Sequence, residues 1–455
     1  MMKMNWKNIC FWSIAFFILG MLAPLSLFAA DAGSVPPELD AYIALPDNTY
    51  KWEILESDTK SPVKTWLVEL TSQTWHDITW KHYMYIVEPQ KLTFRNEAIL
   101  MIWGGNTGNK PGDAEKMATQ MLAAKTNSYA AMLFQVPNQP LFGGRVEDAM
   151  IAETFVRAIA EKDTTWPALF PMAKSAIRAM DAIQEIVKQE RNHNIKHFVV
   201  TGGSKRGWTT WLTAATGDKR VIAIAPIVID TLNMQVQMPY QLETWGVWSE
   251  QIRDYTSRGL VDKDPSKVEG FVKQLWEMVD PYSYRSRVTI PKLLVHGTND
   301  PYWTVDATKN YWKDLKGVKY ISTYPNVGHD LGGRTSDEKI RALTSIAVFA
   351  RFAFEGNTDW PSVTWKASDA ANGNYILSAT VEPMLPVTEV KLWTAYSDTK
   401  DFRMAEWSSS DIQKSAGAYT ATIEKPASGH VAYFIEIIAE YDDLPVSVTT
   451  QVYRQ

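Results

Sequence analysis

Apolar positions change their period twice along the chain, and the changes divide it into three stretches. Residues 50–55, 64–73, 81–87 and 98–102 are rich in Trp, Tyr, Val and Ile, with polar alternation in the earlier runs, a period of two that predicts strands. From there strands and helices alternate. Helical spacing covers 113–125, 147–161, 170–190, 207–216 and 336–355. Short apolar runs at 130–135, 196–201, 221–229, 292–296 and 319–324 predict buried strands between those helices. Strands joined through helices of this length need right-handed crossovers, hence a mostly parallel, doubly wound sheet covered on both faces.

Antiparallel strands followed by parallel ones is the order of an α/β-hydrolase sheet. Residues 231–290 hold no strong strand but carry Met234, Met238, Tyr240, Trp245, Trp248, Tyr255 and Trp276. They read as a helical cap inserted over the carboxyl ends of the strands, where ligands bind in open α/β sheets. Most of these aromatics are expected to pack the cap onto the body. Past 357 the helices stop, and Trp365 with the runs 374–382, 390–397, 419–424, 431–440 and 446–453 predicts an all-β immunoglobulin-like or fibronectin-like sandwich over 358–455. No catalytic constellation is visible there, so its expected role is packing on the body or binding something outside it.

Composition adds few constraints. The 455 residues suffice for two or three domains, 45% hydrophobic and 21% charged residues describe a globular chain, and a net charge of −5 without a basic run gives no footprint for nucleic acid. The 19 Trp residues are mostly expected in cores, with a few lining a pocket for an apolar, aromatic or sugar-like substrate. Lys3 and Lys7, the apolar stretch 11–27 and small residues at Ala29, Ala30 and Ala32 read as a cleaved signal peptide over 1–30, leaving a hydrolase domain at 31–357. The competing reading is an uncleaved anchor, but the stretch is short for a span and no positive cluster follows it. Cleavage predicts a periplasmic or secreted protein without a stable membrane anchor. Cys10, the one cysteine, lies inside this segment, so the mature chain would have no disulfide, thiol nucleophile or Cys-ligated metal.

The chemistry centres on residues 198–207, a buried strand running into Gly202-Gly203-Ser204-Lys205-Arg206-Gly207. Such glycines supply the φ angles or close approaches that hold a serine hydroxyl out at a sharp turn. The pattern departs from Gly-x-Ser-x-Gly because Arg206 stands in the usual glycine place, and a loose match arises by chance roughly 0.1 times in a chain this long. Its weight depends on a base and an acid following in the order Ser, Asp or Glu, His. Of seven histidines only His296, His329 and His430 follow Ser204. His430 lies in the predicted sandwich and His296 at the end of a predicted strand. His329 sits in a loop beyond a strand and before the last helix, where the base of this fold belongs, with Gly328 expected to let the loop present the ring.

Asp300, closing the turn after the strand 292–296, is the favoured acid, and Asp230, at the end of the preceding strand, is the alternative. The backbone N–H of Lys205 and the loop of Gly104, Gly105 and Asn106 are candidates for an oxyanion hole, the loop reading equally as a simple glycine turn. The side chains of Lys205 and Arg206 are expected in solvent or in salt bridges rather than on an anionic substrate. No metal motif, P-loop or dinucleotide fingerprint competes, so no metal or cofactor is expected.

With these residues in view, the chain resembles the PhoPQ-activated pathogenicity-related (PqaA-type) proteins, exported members of the α/β-hydrolase superfamily. The resemblance runs from Leu39 to about Phe354 and rests on segments at 39–44, 134–141, 145–152, 170–174, 178–181, 202–208, 280–284 and 297–301. It includes the Ser-Lys-Arg-Gly-Trp form at 204–208, so Arg206 reads as a family trait. The resemblance implies a triad of Ser204, Asp300 and His329, a C-terminal immunoglobulin-like domain, and an association with two-component signalling, virulence and resistance to cationic peptides. It implies no substrate. Three functions stay open: a serine hydrolase acting on an ester or peptide bond of a small-molecule or peptide substrate, a catalytically silent binding or signalling protein on the same fold, and a carbohydrate esterase. Oligomeric state is not legible.

Overall fold

The computed structural model describes residues 35–332, 337–356, 361–382 and 386–455. The signal-peptide reading of 1–30, with Cys10, lies outside the described residues. The body opens with a short helix, α1 (Glu38–Ile43), and four strands, β1 (Lys51–Asp58), β2 (Lys64–Trp75), β3 (Ile78–Glu88) and β4 (Phe94–Ile102). It continues through α2 (Asp113–Thr126), β5 (Ser128–Leu133), α3 (Glu147–Glu161), α4 (Leu169–Arg191), β6 (His197–Gly203), α5 (Lys205–Ala215) and β7 (Val221–Ile227). The insertion is helical, with α6 (Met234–Trp245), α7 (Arg253–Thr256) and α8 (Gly270–Val279), and the body closes with β8 (Lys292–Gly297), β9 (Lys319–Tyr324) and α9 (Asp337–Phe354).

The strand order is β1-β2-β3-β5-β4-β6-β7-β8-β9, antiparallel through β1, β2 and β3 and parallel from β5 to β9. This is an α/β-hydrolase sheet. Alternation along each strand sends residues to opposite faces: Phe198 and Val200 join the core that contains α3, α4 and α5, while Val199 joins the core that contains α2 and α9. The cap is fixed by aromatic packing, with Tyr255 and Trp276 6.1 and 6.0 Å from the ring of Phe155 on α3, which Trp208 of α5 also meets at 6.4 Å. These cap aromatics pack on the body, as expected of most of them.

The C-terminal strands are β10 (Ser362–Asp369), β11 (Tyr375–Glu382), β12 (Val387–Ser397), β13 (Ser408–Asp411), β14 (Lys414–Ser415), β15 (Ala418–Ile423), β16 (His430–Tyr441), β17 (Leu444–Thr449) and β18 (Tyr453–Arg454). Strands β10, β11, β15 and β14 form one sheet, and Leu377, Ile423, Val431 and Ile435 fill the core between it and the facing β17-β16-β12-β13 layer. That second layer is not free of the body. Thr449 on β17 pairs with Ile321 on β9, so the hydrolase sheet runs on into the C-terminal strands as one 14-stranded sheet, and residues 35–455 cluster as a single compact unit.

Candidate active site

Ser204 occupies the single residue between β6 and α5, at φ 57° and ψ −123°. Its N–H donates to the Ile227 carbonyl at 2.8 Å, and Trp208 N–H returns to its own carbonyl at 3.0 Å. The strand therefore turns into the helix within one residue, and the strain of a positive φ falls on the serine itself. Gly202 and Gly207 make this turn: a Cβ on Gly207 would lie 2.7 Å from Ile229 Cγ2 and 3.0 Å from the Gly202 carbonyl, and one on Gly202 would strike Arg206 at 2.9 Å. Gly203 meets nothing and has no positive φ, so the role assigned to it from sequence is a correction.

His329 Nε2 lies 2.7 Å from Ser204 Oγ, and His329 Nδ1 lies 2.8 Å from Asp300 Oδ2. An ionised carboxylate only accepts, so the Nδ1 proton faces Asp300 and Nε2 is left as the acceptor for the serine hydroxyl. Asp300 Oδ1 accepts from Tyr302 N–H at 2.9 Å, and the carboxylate is buried, while His329 is partly exposed. The alternative acid, Asp230, lines the same small cavity as Asp300 but bonds other partners: it accepts from Tyr311 Oη at 2.5 Å and Thr308 Oγ1 at 2.8 Å, and burial pushes its carboxyl upward. The side chain bonded to His329 is that of Asp300. The base loop also departs from expectation in one detail. Gly328 has only an ordinary contact, whereas a Cβ on Gly297 would lie 2.5 Å from the Val327 carbonyl. The glycine that lets this loop cross β8 is Gly297, and Asn326 takes the positive φ of 59°.

Gly104, Gly105 and Asn106 follow β4, on the same edge of the sheet as Ser204, Asp300 and His329. The loop is pinned by Gln135 N–H to the Gly104 carbonyl at 2.9 Å and Thr107 N–H to the Gln139 carbonyl at 2.6 Å. A Cβ on Gly104 would sit 2.5 Å from the Arg206 guanidinium, which explains both residues together: the arginine occupies the space over the glycine. That guanidinium is buried and holds Glu147 in a two-pronged pair at 2.6 and 2.7 Å, while its Nε donates to the Val136 carbonyl at 2.5 Å. Burial works against the charge of Glu147, but Arg206 and then Lys205 hold its carboxyl down at about 2. The Lys205 side chain pairs with Asp148 at 2.8 Å, and its N–H opens the first turn of α5, where helical donors have no partner within the helix. Neither cation is free for an anionic substrate.

Sequence reasoning did not single out Asp148, Tyr255 or Tyr302 as site residues. Asp148 accepts from Lys205, from Tyr255 Oη at 3.0 Å and from Tyr302 Oη at 3.2 Å. The Tyr302 ring in turn stacks on the His329 imidazole, centroids 4.1 Å apart. The one available signal was the acidic pair Glu147-Asp148 inside a family segment. Among the described residues no group of His, Cys, Asp and Glu could hold a metal ion, and no helix is long and apolar enough to cross a membrane.

Comparison with solved structures finds similarity to an acetyl xylan esterase from Paenibacillus sp. R4 (15% identity, 68% of this chain and 92% of that one, TM-score 0.46). A second acetyl xylan esterase, from Thermoanaerobacterium sp. JW/SL YS485, scores 0.45 at 15% identity, over 68% of this chain and 93% of that one. At such scores the fold assignment stands on the strand order, not on these likenesses. Comparison with curated proteins finds autocrine proliferation repressor protein A of Dictyostelium discoideum, 33% identical over 457 aligned positions that cover 93% of this chain and 90% of the relative. A family model described as PhoPQ-activated pathogenicity-related protein matches residues 39–403, spanning the turn at Ser204, the cap and both loops that carry Asp300 and His329. On the length of that match and the identity to the relative, the chain belongs to the PhoPQ-activated pathogenicity-related protein family.

Proposed function

We propose that the protein is an exported serine hydrolase that cleaves an ester or peptide bond through an acyl-enzyme. One observation carries this reading: the unbroken hydrogen-bonded chain Ser204–His329–Asp300, with the serine on a strained strand-to-helix turn. Ser204 Oγ attacks the substrate carbonyl while its proton passes to His329 Nε2. Asp300 holds the tautomer and stabilises the imidazolium that forms. Lys205 N–H, at the positive end of α5, and the backbone of Gly104, Gly105 and Asn106 receive the charge developing on the carbonyl oxygen. His329 then gives its proton to the leaving group, and a water deprotonated by the same imidazole attacks the acyl-enzyme and releases Ser204. The chemistry calls on no metal or cofactor. The expected ligand is a small molecule or peptide, and export rests on the reading of residues 1–30. Purified protein should hydrolyse members of a panel of short acyl esters, peptides and acetylated oligosaccharides, and Ser204→Ala should abolish that turnover. Equal turnover by the variant would sink the assignment.

A second reading is favoured by the relative's name, which describes an autocrine repressor of proliferation. On it, the chain is a binding or signalling protein that keeps the fold without turnover. A folded wild type inert toward the whole panel would favour that reading.

A further inference from the structure

The two loops that carry the acid and the base do not stand on the hydrolase body alone. Asn299, next to Asp300, donates through Nδ2 to the carbonyls of Ala405 at 2.8 Å and Arg403 at 3.1 Å. Asn326, three residues before His329, exchanges two bonds with Trp407: Nδ2 to the carbonyl at 2.9 Å, and Trp407 N–H to Oδ1 at 2.8 Å. All three partners lie in residues 398–407, the connection between β12 and β13 of the C-terminal layer.

That connection is itself braced. Arg403 grips the Asp401 carboxylate from two side-chain nitrogens, and Ser397 Oγ donates to the Asp401 carbonyl at 2.9 Å. Phe402 and Trp407 are buried with Phe434, Ala432 and Val452, and Val305 of the acid loop packs against them. The same connection reaches the cap, where the Arg403 guanidinium lies 4.0 Å from the ring of Trp245 at the end of α6. A second tie follows at the chain's end: Arg454 pairs with Asp306 at 3.3 Å and bonds Thr244 of α6 at 3.2 Å. Behind Asp300, Gln451 and Val452 help wall a cavity of about 20 Å³, too small for more than about one water.

We infer that residues 398–407 of the C-terminal layer are a working part of the active site, with Asn299 and Asn326 as positioning residues that fasten the Asp300 and His329 loops to them. The inference rests on the serine-hydrolase reading. Asn299 holds two carbonyls of this connection and Asn326 a carbonyl and an N–H. The loops hold each other through Asn299 N–H to the Val327 carbonyl at 3.0 Å and Asn326 N–H to Thr298 Oγ1 at 2.9 Å. Losing both side chains therefore frees the paired loops from the C-terminal layer and lets them shift relative to Ser204. Displacement on the order of 1 Å costs a reaction of this type about 100-fold.

The test uses full-length protein carrying Asn299→Ala with Asn326→Gly. Glycine accommodates the positive φ of residue 326 and removes the side chain that makes the clamp. The control is Leu377→Ala, which weakens the core between the two C-terminal sheets and touches neither loop. Turnover and amide exchange are read well below each unfolding midpoint. The double variant should lose about tenfold or more in kcat/KM, mostly in kcat, with faster exchange in 298–302 and 325–331. Leu377→Ala should exchange faster in the C-terminal strands and keep its kcat. Unchanged exchange in both loops, or a control that matches the double variant in both readouts, overturns the inference. If the wild type hydrolyses nothing, the hydrolase reading fails, and loop exchange alone still decides whether the clamp exists.

Discussion

At the scale of single residues, the site's chemistry depends on which carboxylate orients His329. Asp300 touches the imidazole and Asp230 does not, so Asp300→Asn should lower kcat/KM by roughly a thousandfold or more, while Asp230→Asn should change it less than about tenfold. Steady-state kinetics on one responsive ester separates the two, and equal losses would contradict the geometry. Ser204, Asp300 and His329 were legible because their order and their places after predicted strands are one-dimensional facts. The glycine logic was only half legible. Which glycine meets backbone depends on what crosses it, so Gly297 could not be told from Gly328, nor Gly207 from Gly203, before the loops were placed. Arg206 looked like a defect in a motif until Gly104 and Glu147 closed around it. Those contacts span 102 and 59 positions, and spacing along the chain carries no trace of them.

At the scale of elements, periodicity located the body's strands and its longer helices to within a few residues, α3 and β9 with the same limits, because period and burial agree there, but it did not register the six-residue α1. It missed β13 and β14, which are short and exposed, and it read 446–453 as one strand where the chain breaks between β17 and β18. Strand β8 supplies a pH prediction. Lys292 is fully buried on it, donates to the Lys316 carbonyl, and is held down at about 7 by burial, with Lys319 adding repulsion. Its folded value lies below the ordinary 10.5, so between pH 7 and 10.5 the unfolded chain binds the extra proton and stability rises with pH. Below pH 7 the full cost of burying the charge applies. Lys292→Met should therefore raise the unfolding temperature, by about 2 °C or more at pH 6, with the gain shrinking toward pH 10. Thermal melts across that range check the sign, and a midpoint lowered at pH 6 would contradict it.

At the scale of the whole molecule, the continuity of the sheet is what sequence concealed. A run of helix-free strands after 357 reads as a second domain, and nothing in its pattern announces that β17 pairs with β9. That pairing, with the asparagine clamp and the Arg454–Asp306 pair, predicts that body and C-terminal strands unfold together. Calorimetry should show one transition whose van't Hoff and calorimetric enthalpies agree, and two resolved transitions would contradict a shared sheet. On the proposed function, Ser204 is a nucleophile armed by His329 and Asp300. Intact-mass analysis after exposure to a fluorophosphonate probe tests it without knowledge of the substrate. A single adduct is expected, mapped to Ser204, absent in Ser204→Ala and slowed strongly in His329→Ala. A correctly folded wild type that stays unlabelled, or an adduct on another residue, would contradict it.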